Sequence, residues 1–352
     1  MKITPNNMKY TIVPALLCIS MSILSACHNE ARQCETPVNI IFDTDIGNDI
    51  DDAEALALLN LYMDDAKINL LGICLNKEGK ETVGYVDLMN TFYGHTDIPL
   101  ARARDNGGDG PAASGLYTGQ VCALEKNDGT ALFPVTGVDY ETLPDGHVLY
   151  RKLLASQPDS SVTIVSVGFL TNLARLLDTP ADEYSPLAGK ELVAKKVKLL
   201  SIMAARFDSE TPEYNVLINI PSARKIFEEW PGRIVSIPWE IGRDVRYPAE
   251  SMENDFGWVE AHPLKEAYVR YSEMPYDNWM FDPAAVVYAV EGGKYFTASG
   301  SGTIKVDDNG VTTFSSSPDG LHSYLYVTEE QADTLRNYFM EHLTRKPACL
   351  SK

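Results

Sequence analysis

Short apolar runs alternate with helical periodicity along most of the chain. "VNIIF" (38–42) leads into "AEALALLNLYM" (53–63), whose apolar spacing suits a helix. "INLLGICL", the patterned "ETVGYVDLMNTFYG" and "DIPLARA" follow. The alternation then returns as "SVTIVSV" with "LTNLARLLD", "VKLLSIMA" with "PSARKIFEEW", and finally "RIVSIPW". Continuous apolar strands separated by helices predict an α/β fold, a mostly parallel open sheet with helices on both faces. The texture changes near the end. "GTIKVDDNGVTTF" places an Asp-Asn-Gly turn between alternating stretches and predicts a hairpin, and "TEEQADTLRNYFMEHL" predicts a C-terminal amphipathic helix. No internal repeat or Gly/Ser linker divides the middle of the chain.

The N-terminus reads as a processing signal. Lys2 and Lys9 supply positive charge, "TIVPALLCISMSIL" is an apolar core, and "LSAC" ends it at Cys27. Its length and flanks suit a secretory signal better than a membrane-spanning helix. "LSAC" resembles the lipobox of bacterial lipoproteins, which implies that Cys27 is lipidated and becomes the first mature residue. The expected organisation is a signal peptide over 1–26, a polar tether over 27–37 and one domain over 38–352. The expected location is an exported lipoprotein, periplasmic or at the cell surface, that touches the membrane only through Cys27. Of the remaining cysteines, Cys34, Cys74, Cys122 and Cys349 lack metal-type spacing. Cys74 lies in an apolar run and reads as a buried free thiol. A Cys34–Cys349 bridge is compatible with export, but nothing in the sequence demands it.

Charge narrows the partners. The chain carries 30 basic and 49 acidic residues, a net charge of -19, and loss of the signal, with two lysines and no acid, makes it more negative. This disfavours a nucleic-acid polymer. With 352 residues and 45% hydrophobic content, a large core is available.

The candidate chemistry sits in "NIIFDTDIGNDIDDAEALALL". Asp43, Asp45, Asp49, Asp51 and Asp52 crowd between a strand and a helix, although neighbouring carboxylates repel. An EF-hand does not explain them, because its glycine belongs at position six and Gly47 stands at position five, after a strand rather than a helix. A haloacid-dehalogenase-type nucleophile motif accounts for "DTD" but leaves "IGNDIDD" without a role. Clustered carboxylates without histidine or thiolate partners suit a hard cation such as calcium.

Here the sequence resembles the calcium-dependent nucleoside hydrolases of the inosine-uridine type. Their signature, strand-D-x-D-x-G-x-D-D-A-x-A-L, stands as "DTDIGNDIDDAEAL", with two extra residues before the Asp51–Asp52 pair. Further resemblances follow in family order: "LLGICLN", "VGFLTNLA", "LLSIMAA" followed by "PEYN", and "FDPAAVVYAV", together spanning about 38–290. The resemblance implies a nucleoside hydrolase-like fold with a Rossmann-like core. It also implies hydrolysis of the N-glycosidic bond of nucleosides or related ribosides by a calcium-activated water. Asp45, Asp52 and Asp282, with the main-chain carbonyl of Val167, would ligate Ca2+, and Asp45 would also be the general base. Asp51 and Asn215 would hold the secondary hydroxyls of the sugar, and Glu213 would lie near the primary hydroxyl. Asn76 would orient nucleophile and sugar. Asp43 would brace the loop, while Asp49, outside the aligned pattern, reads as a solvated loop aspartate. The implied partner is a small-molecule nucleoside or riboside; homo-oligomer formation is left open.

Three departures mark this chain. The glycines of the family's M-G-G element are Ala204 and Ala205, read as a change in packing. An asparagine that contacts the primary hydroxyl has no counterpart in "ARFDSETPEYN". Most importantly, Phe281 occupies the position of the histidine that protonates the leaving base. His28, His95, His147, His262, His322 and His342 offer no evident substitute, and Trp239, Trp279, Tyr117 and Phe281 are candidates to line a leaving-group pocket. A catalytically weak nucleoside- or sugar-binding lipoprotein of the same fold is the alternative reading.

Overall fold

The first strand, β1 (Val38–Thr44), sets the frame for everything functional. Side chains on a strand alternate between faces. Ile40 and Phe42 accordingly enter one core, and Ile41 enters another on the opposite side. β1 pairs in parallel with β2 (Ile68–Leu75) and β4 (Val162–Ser166), so it lies inside the sheet. The remaining strands are β3 (Leu100–Ala101), β5 (Val197–Met203), β6 (Ile234–Ile237), β7 (Arg246–Tyr247), β8 (Asn278–Trp279), β9 (Thr297–Ala298), β10 (Gly302–Val306), β11 (Thr312–Ser316) and β12 (His322–Tyr326). This is a computed structural model, and it describes Met1 and residues 36–105, 107 and 117–351.

Ten strands form one open sheet in the order β11-β10-β12-β6-β5-β4-β1-β2-β3, with β9 added against β12; β7 and β8 form a separate antiparallel ribbon. From β3 to β6 the pairing is parallel, and β12 continues in parallel on β6. The predicted mostly parallel open sheet with helices on both faces is therefore observed. One core packs the helices Asp51–Asp64, Lys80–Tyr93, Phe281–Glu291 and Glu329–Leu343 on one face; the other packs Gly146–Ser156, Thr171–Leu177, Gly189–Lys196 and Ile220–Glu229.

The hairpin forms where its turn chemistry placed it. β10 and β11 pair antiparallel, Asp307 Oδ1 accepts from the backbone N–H of Asn309 and Val311, and Gly310 takes a positive φ of 83°. Its sequence gave no sign that β10 also pairs with β12 and so extends the large sheet. The last helix, Glu329–Leu343, begins with a reciprocal cap: Thr328 Oγ1 accepts from Gln331 N, and Gln331 Oε1 accepts from Thr328 N. "DIPLARA" contributes only the two-residue β3. Cys74 is buried and free. The signal, Cys27 and Cys34 lie outside the described residues. Among the described residues, no helix is long and apolar enough to cross a membrane.

Candidate active site

In an open α/β sheet, ligands bind beyond the carboxyl ends of the strands, and β1, β2, β4 and β5 all deliver polar residues there. Alternation sends Asp43 and Thr44 to opposite faces of β1. Asp43 is fully buried and accepts from Tyr150 OH at 3.0 Å, Asn172 Nδ2 at 3.2 Å and Ser166 Oγ at 3.5 Å, as well as from Asn76 Nδ2. Burial pushes its carboxyl up to about 6 despite these bonds. Asp43 thus ties together the ends of β1, β2 and β4 and the helix that follows β4. Thr44, on the other face, donates its hydroxyl to Asp52.

Past the strand, Asp45 to Asn48 form a turn. Asn48 N donates to Asp45 O at 3.3 Å, and Gly47 at φ 108° supplies the left-handed residue the turn needs. The chain then enters the helix Asp51–Asp64, whose first turn carries Asp51, Asp52 and Glu54. A second helix, Phe281–Glu291, opens with Asp282, and Asp282 N donates to Asp51 Oδ2 at 3.1 Å. Two helix N-termini, each favouring negative charge, therefore converge on the carboxylates.

Oxygens of Asp51, Asp52 and Asp282 lie within 4.8 Å of one another, and all three side chains are buried. Burial first, and the neighbouring negative charges with it, hold all three carboxyls well above the ordinary range. Asp45 borders the same cavity, and its carboxyl is raised to about 7, chiefly by burial. A buried, all-oxygen set of mutually repelling carboxylates fits a hard divalent cation. Asp52 and Asp282 of the implied ligand set belong to this trio, and Asp45 borders the same cavity, where Asn48 Nδ2 donates to its Oδ2 at 2.6 Å. Val167 lines the cavity, and its carbonyl accepts from Asn215 Nδ2 at 2.9 Å.

The cavity measures about 240 Å³, below the roughly 300–1,000 Å³ typical for drug-sized ligands, so it suits a small polar molecule. Asp45, Asp49, Asp51, Asp52 and Asp282 line it, together with Val167, Glu213 and Asn215. Glu213 caps the helix Tyr214–Ile218, accepting from Asn215 N at 2.8 Å and Val216 N at 3.2 Å; burial raises its carboxyl to about 7. Asn76 is buried beside Gly168 and is not among the residues that line the cavity; its Oδ1 has no hydrogen-bond partner. Gly168 is required by close approach. A Cβ there would stand 2.5 Å from Asp45 N, 2.9 Å from Asp45 Oδ1 and 3.0 Å from Asn76 Nδ2. Gly168→Ala is therefore expected to lower kcat by about 10²-fold, since misplacing a reacting group by an ångström costs that much. Steady-state kinetics on a variant shown to be folded by its melting curve would check this.

Trp239, Trp279 and Phe281 form the aromatic side. Their ring centroids lie 6.2 Å (Trp239–Trp279), 5.6 Å (Trp279–Phe281) and 6.3 Å (Trp239–Phe281) apart. Arg206 stacks over Trp239 at 3.8 Å, and Arg246 lies over Trp279 at 5.6 Å. Phe281 is packed against Gly242 so closely that a Cβ there would come within 1.9 Å of its ring.

Several expectations change. Tyr117 does not line the cavity; it is buried behind the aspartate turn, accepting from Gly47 N and donating to Asp49 O, both at 3.1 Å. Asp49 is exposed, as expected, but borders the cavity and accepts from Tyr271 OH at 2.9 Å. Ala205 does more than alter packing, because it holds φ at 87°, a conformation natural to the glycine it stands in for and costly for alanine. No histidine lines the cavity among the described residues. His262, the most buried of those described, caps the helix Pro263–Tyr271, and burial lowers it to about 3. Asn48, Met203 and Tyr214 also border the cavity and were not anticipated. Met203 lies in "LLSIMAA" and Tyr214 in "PEYN", segments that carry the resemblance, and Asn48 lies within the aspartate stretch.

The fold agrees with the comparisons. The family model of the inosine-uridine preferring nucleoside hydrolases matches residues 40–333, and the chain belongs to that family. A plant nucleoside hydrolase superposes with a TM-score of 0.63 at 20% identity, over 88% of this chain and 100% of its own. A purine-preferring ribonucleoside hydrolase from Gardnerella vaginalis gives 0.67 at 14% identity, over 87% and 98%. An inosine-uridine preferring nucleoside hydrolase from Bacillus anthracis gives 0.62 at 16% identity, over 87% and 99%. No curated protein matches. Family and fold support an N-glycosyl hydrolase acting on nucleosides.

Proposed function

We infer that the protein hydrolyses the N-glycosidic bond of nucleosides or related ribosides with a water activated at a calcium site, and that it does so as an exported lipoprotein. The observation that carries the catalytic part is the single small cavity in which buried carboxylates on two helix N-termini face a wall of three aromatic rings. Asp45, Asp52, Asp282 and the Val167 carbonyl would hold calcium, with Asp51 beside them. Bound there, the ion would relieve carboxylate repulsion and acidify a neighbouring water.

The chain's own residues supply the rest. Asp45, set at the end of β1, accepts the proton of the attacking water through its carboxylate. The free Oδ1 of Asn76 accepts a hydrogen bond from that water or from a sugar hydroxyl and so fixes its approach. Asp51 and Asn215 bind the secondary hydroxyls; Nδ2 of Asn215 is committed to the carbonyls of Val167 and Met203, which leaves Oδ1 as the acceptor. Glu213 lies toward the primary hydroxyl. As the anomeric centre gains oxocarbenium character, these acceptors grip the ring hydroxyls more tightly. The base leaves against Trp239, Trp279 and Phe281.

Multiple turnover of purine, pyrimidine and nitrophenyl ribosides, with and without added calcium, tests this reading. Stoichiometric binding without turnover of any of them would leave a binding protein instead. The lipoprotein part rests on "LSAC" at the end of the apolar segment. Cys27→Ser is expected to abolish metabolic labelling with a lipid precursor and to release the protein from the membrane fraction; labelling that survives would remove the anchor.

A further inference from the structure

Among the described residues, three lysine or arginine side chains are buried: Lys77, Arg102 and Arg151. Arg151 bonds Asp182 and Arg102 bonds Glu141, each directly to a carboxylate. Lys77, 1% exposed, instead donates to the amide oxygen Oδ1 of Asn48. Strand pairing puts it there. Thr44 stands opposite Leu75, and Asn76 N donates to Thr44 O at 2.8 Å, so Lys77 leaves β2 at the level of the aspartate turn. The charges it senses are those of Asp45, Asp52 and Asp49. Burying an ammonium is costly unless it is bonded and charge-compensated, and this one lies beside an acidic site.

The amide between them has two distinguishable ends. Lys77 can only donate, so it holds the Asn48 oxygen. That turns the Asn48 NH₂ toward Asp45, where Nδ2 donates to Oδ2 at 2.6 Å. The other carboxylate oxygen, Oδ1, is thereby left beside Gly168 and Asn76. The turn through Gly47 is what brings the Asn48 side chain back over Asp45.

We propose that Lys77 is a positioning residue of the hydrolytic site, acting through Asn48 to hold the Asp45 carboxylate with Oδ1 toward the attacking water. This rests on the assignment of Asp45 as the base. Without the ammonium, the amide is free to turn its NH₂ toward other acceptors, and Asp45 loses the contact that orients it.

The test uses the full chain with saturating calcium and nitrophenyl riboside. Lys77→Met, Asn48→Ala and Asn48→Asp are each expected to lower kcat by about 10²-fold while KM moves less than about threefold, the pattern of an interaction that matters in the transition state. Asn48→Asp keeps size and the lysine contact but has no donor for Asp45, so it should not rescue. The double variant Lys77→Met/Asn48→Ala should be no slower than the slower single variant, because both remove one linkage. An unchanged kcat in Lys77→Met, or multiplied losses in the double variant, would overturn the proposal. If Lys77→Met fails to fold, Asn48→Ala, at a partly exposed position, carries the same kinetic test. Crystal structures of calcium-loaded wild type, Lys77→Met and Asn48→Ala give a readout independent of turnover. The Asp45 carboxylate should rotate in both variants, and an unchanged orientation overturns the proposal. Should the wild type cleave no riboside, the hydrolase reading fails, and the carboxylate orientation alone still decides the role of Lys77.

Discussion

Nitrophenyl riboside is expected to be cleaved about 10²–10⁴-fold faster than inosine, the range that positioned acid catalysis contributes. Phe281 stands where the family resemblance places an acid, and no histidine borders the cavity among the described residues. Hypoxanthine needs a proton or a hydrogen bond to depart, whereas nitrophenolate leaves unaided. The aromatic wall can stack on either leaving group but donates no proton from Phe281. The two tryptophans also sharpen the expectation for cationic leaving groups. Trp239 already carries Arg206 at 3.8 Å and Trp279 carries Arg246 at 5.6 Å, so a cationic nicotinamide would meet like charges behind the rings and gain less than nitrophenyl. Phe281→His should narrow the gap between the two substrates, because the smaller ring fits the space against Gly242 and restores a titratable nitrogen. The ratio of kcat/KM for the two substrates, in wild type and variant, is the measurement. Comparable wild-type rates would mean that another group donates the proton.

The second large effect is on stability, and its direction depends on pH. Without a divalent cation, burial favours the neutral forms of Asp45 and Asp43, whose folded values of about 7 and about 6 lie above the ordinary 3.8. Carboxyls raised in this way contribute stability that is full below their unfolded value and is lost as pH rises through the folded one. The calcium-free protein should therefore lose stability between about pH 4 and pH 7. Calcium held there as proposed would bind the ionised carboxylates, so its stabilising increment should grow over the same interval. At a hundredfold excess over Kd the increment should approach about 2.7 kcal/mol by mass action. Asp52→Ala and Asp282→Ala should each abolish it, while Asp49→Ala, at an exposed position, should keep most of it. In calcium-free buffer at pH 8, Asp282→Ala should melt at or above wild type, since it removes one of several mutually repelling buried charges. Thermal melts across pH with calcium or chelator decide this. A calcium-independent curve for the intact protein would remove the metal from the account.

Much of this was legible in one dimension because it depends on local periodicity. Continuous apolar runs on either side of helical patterns are what a doubly covered parallel sheet requires, and they located β1, β2, β4, β5 and β6. The Asp-Asn-Gly turn is a contact within a few residues, so the local sequence pattern revealed it, as helical periodicity revealed the last helix. The aspartate density identified the acidic loop for the same reason: carboxylates that repel are kept together only where something rewards it.

What remained hidden was whatever depends on residues far apart in the chain. Asp282 lies more than two hundred residues from Asp51, yet its backbone N–H bonds that carboxylate, and the two converge with Asp52. Tyr117, equally aromatic on paper, turned behind the site because its hydroxyl found Gly47 and Asp49. Lys77 looked like an ordinary residue after a strand; burial against Asn48, fixed by the pairing of β1 and β2, gives it a role no local pattern encodes. Periodicity specifies which face of an element is buried. Which side chains then meet is set by strand order and helix approach, and those follow from packing the whole sheet.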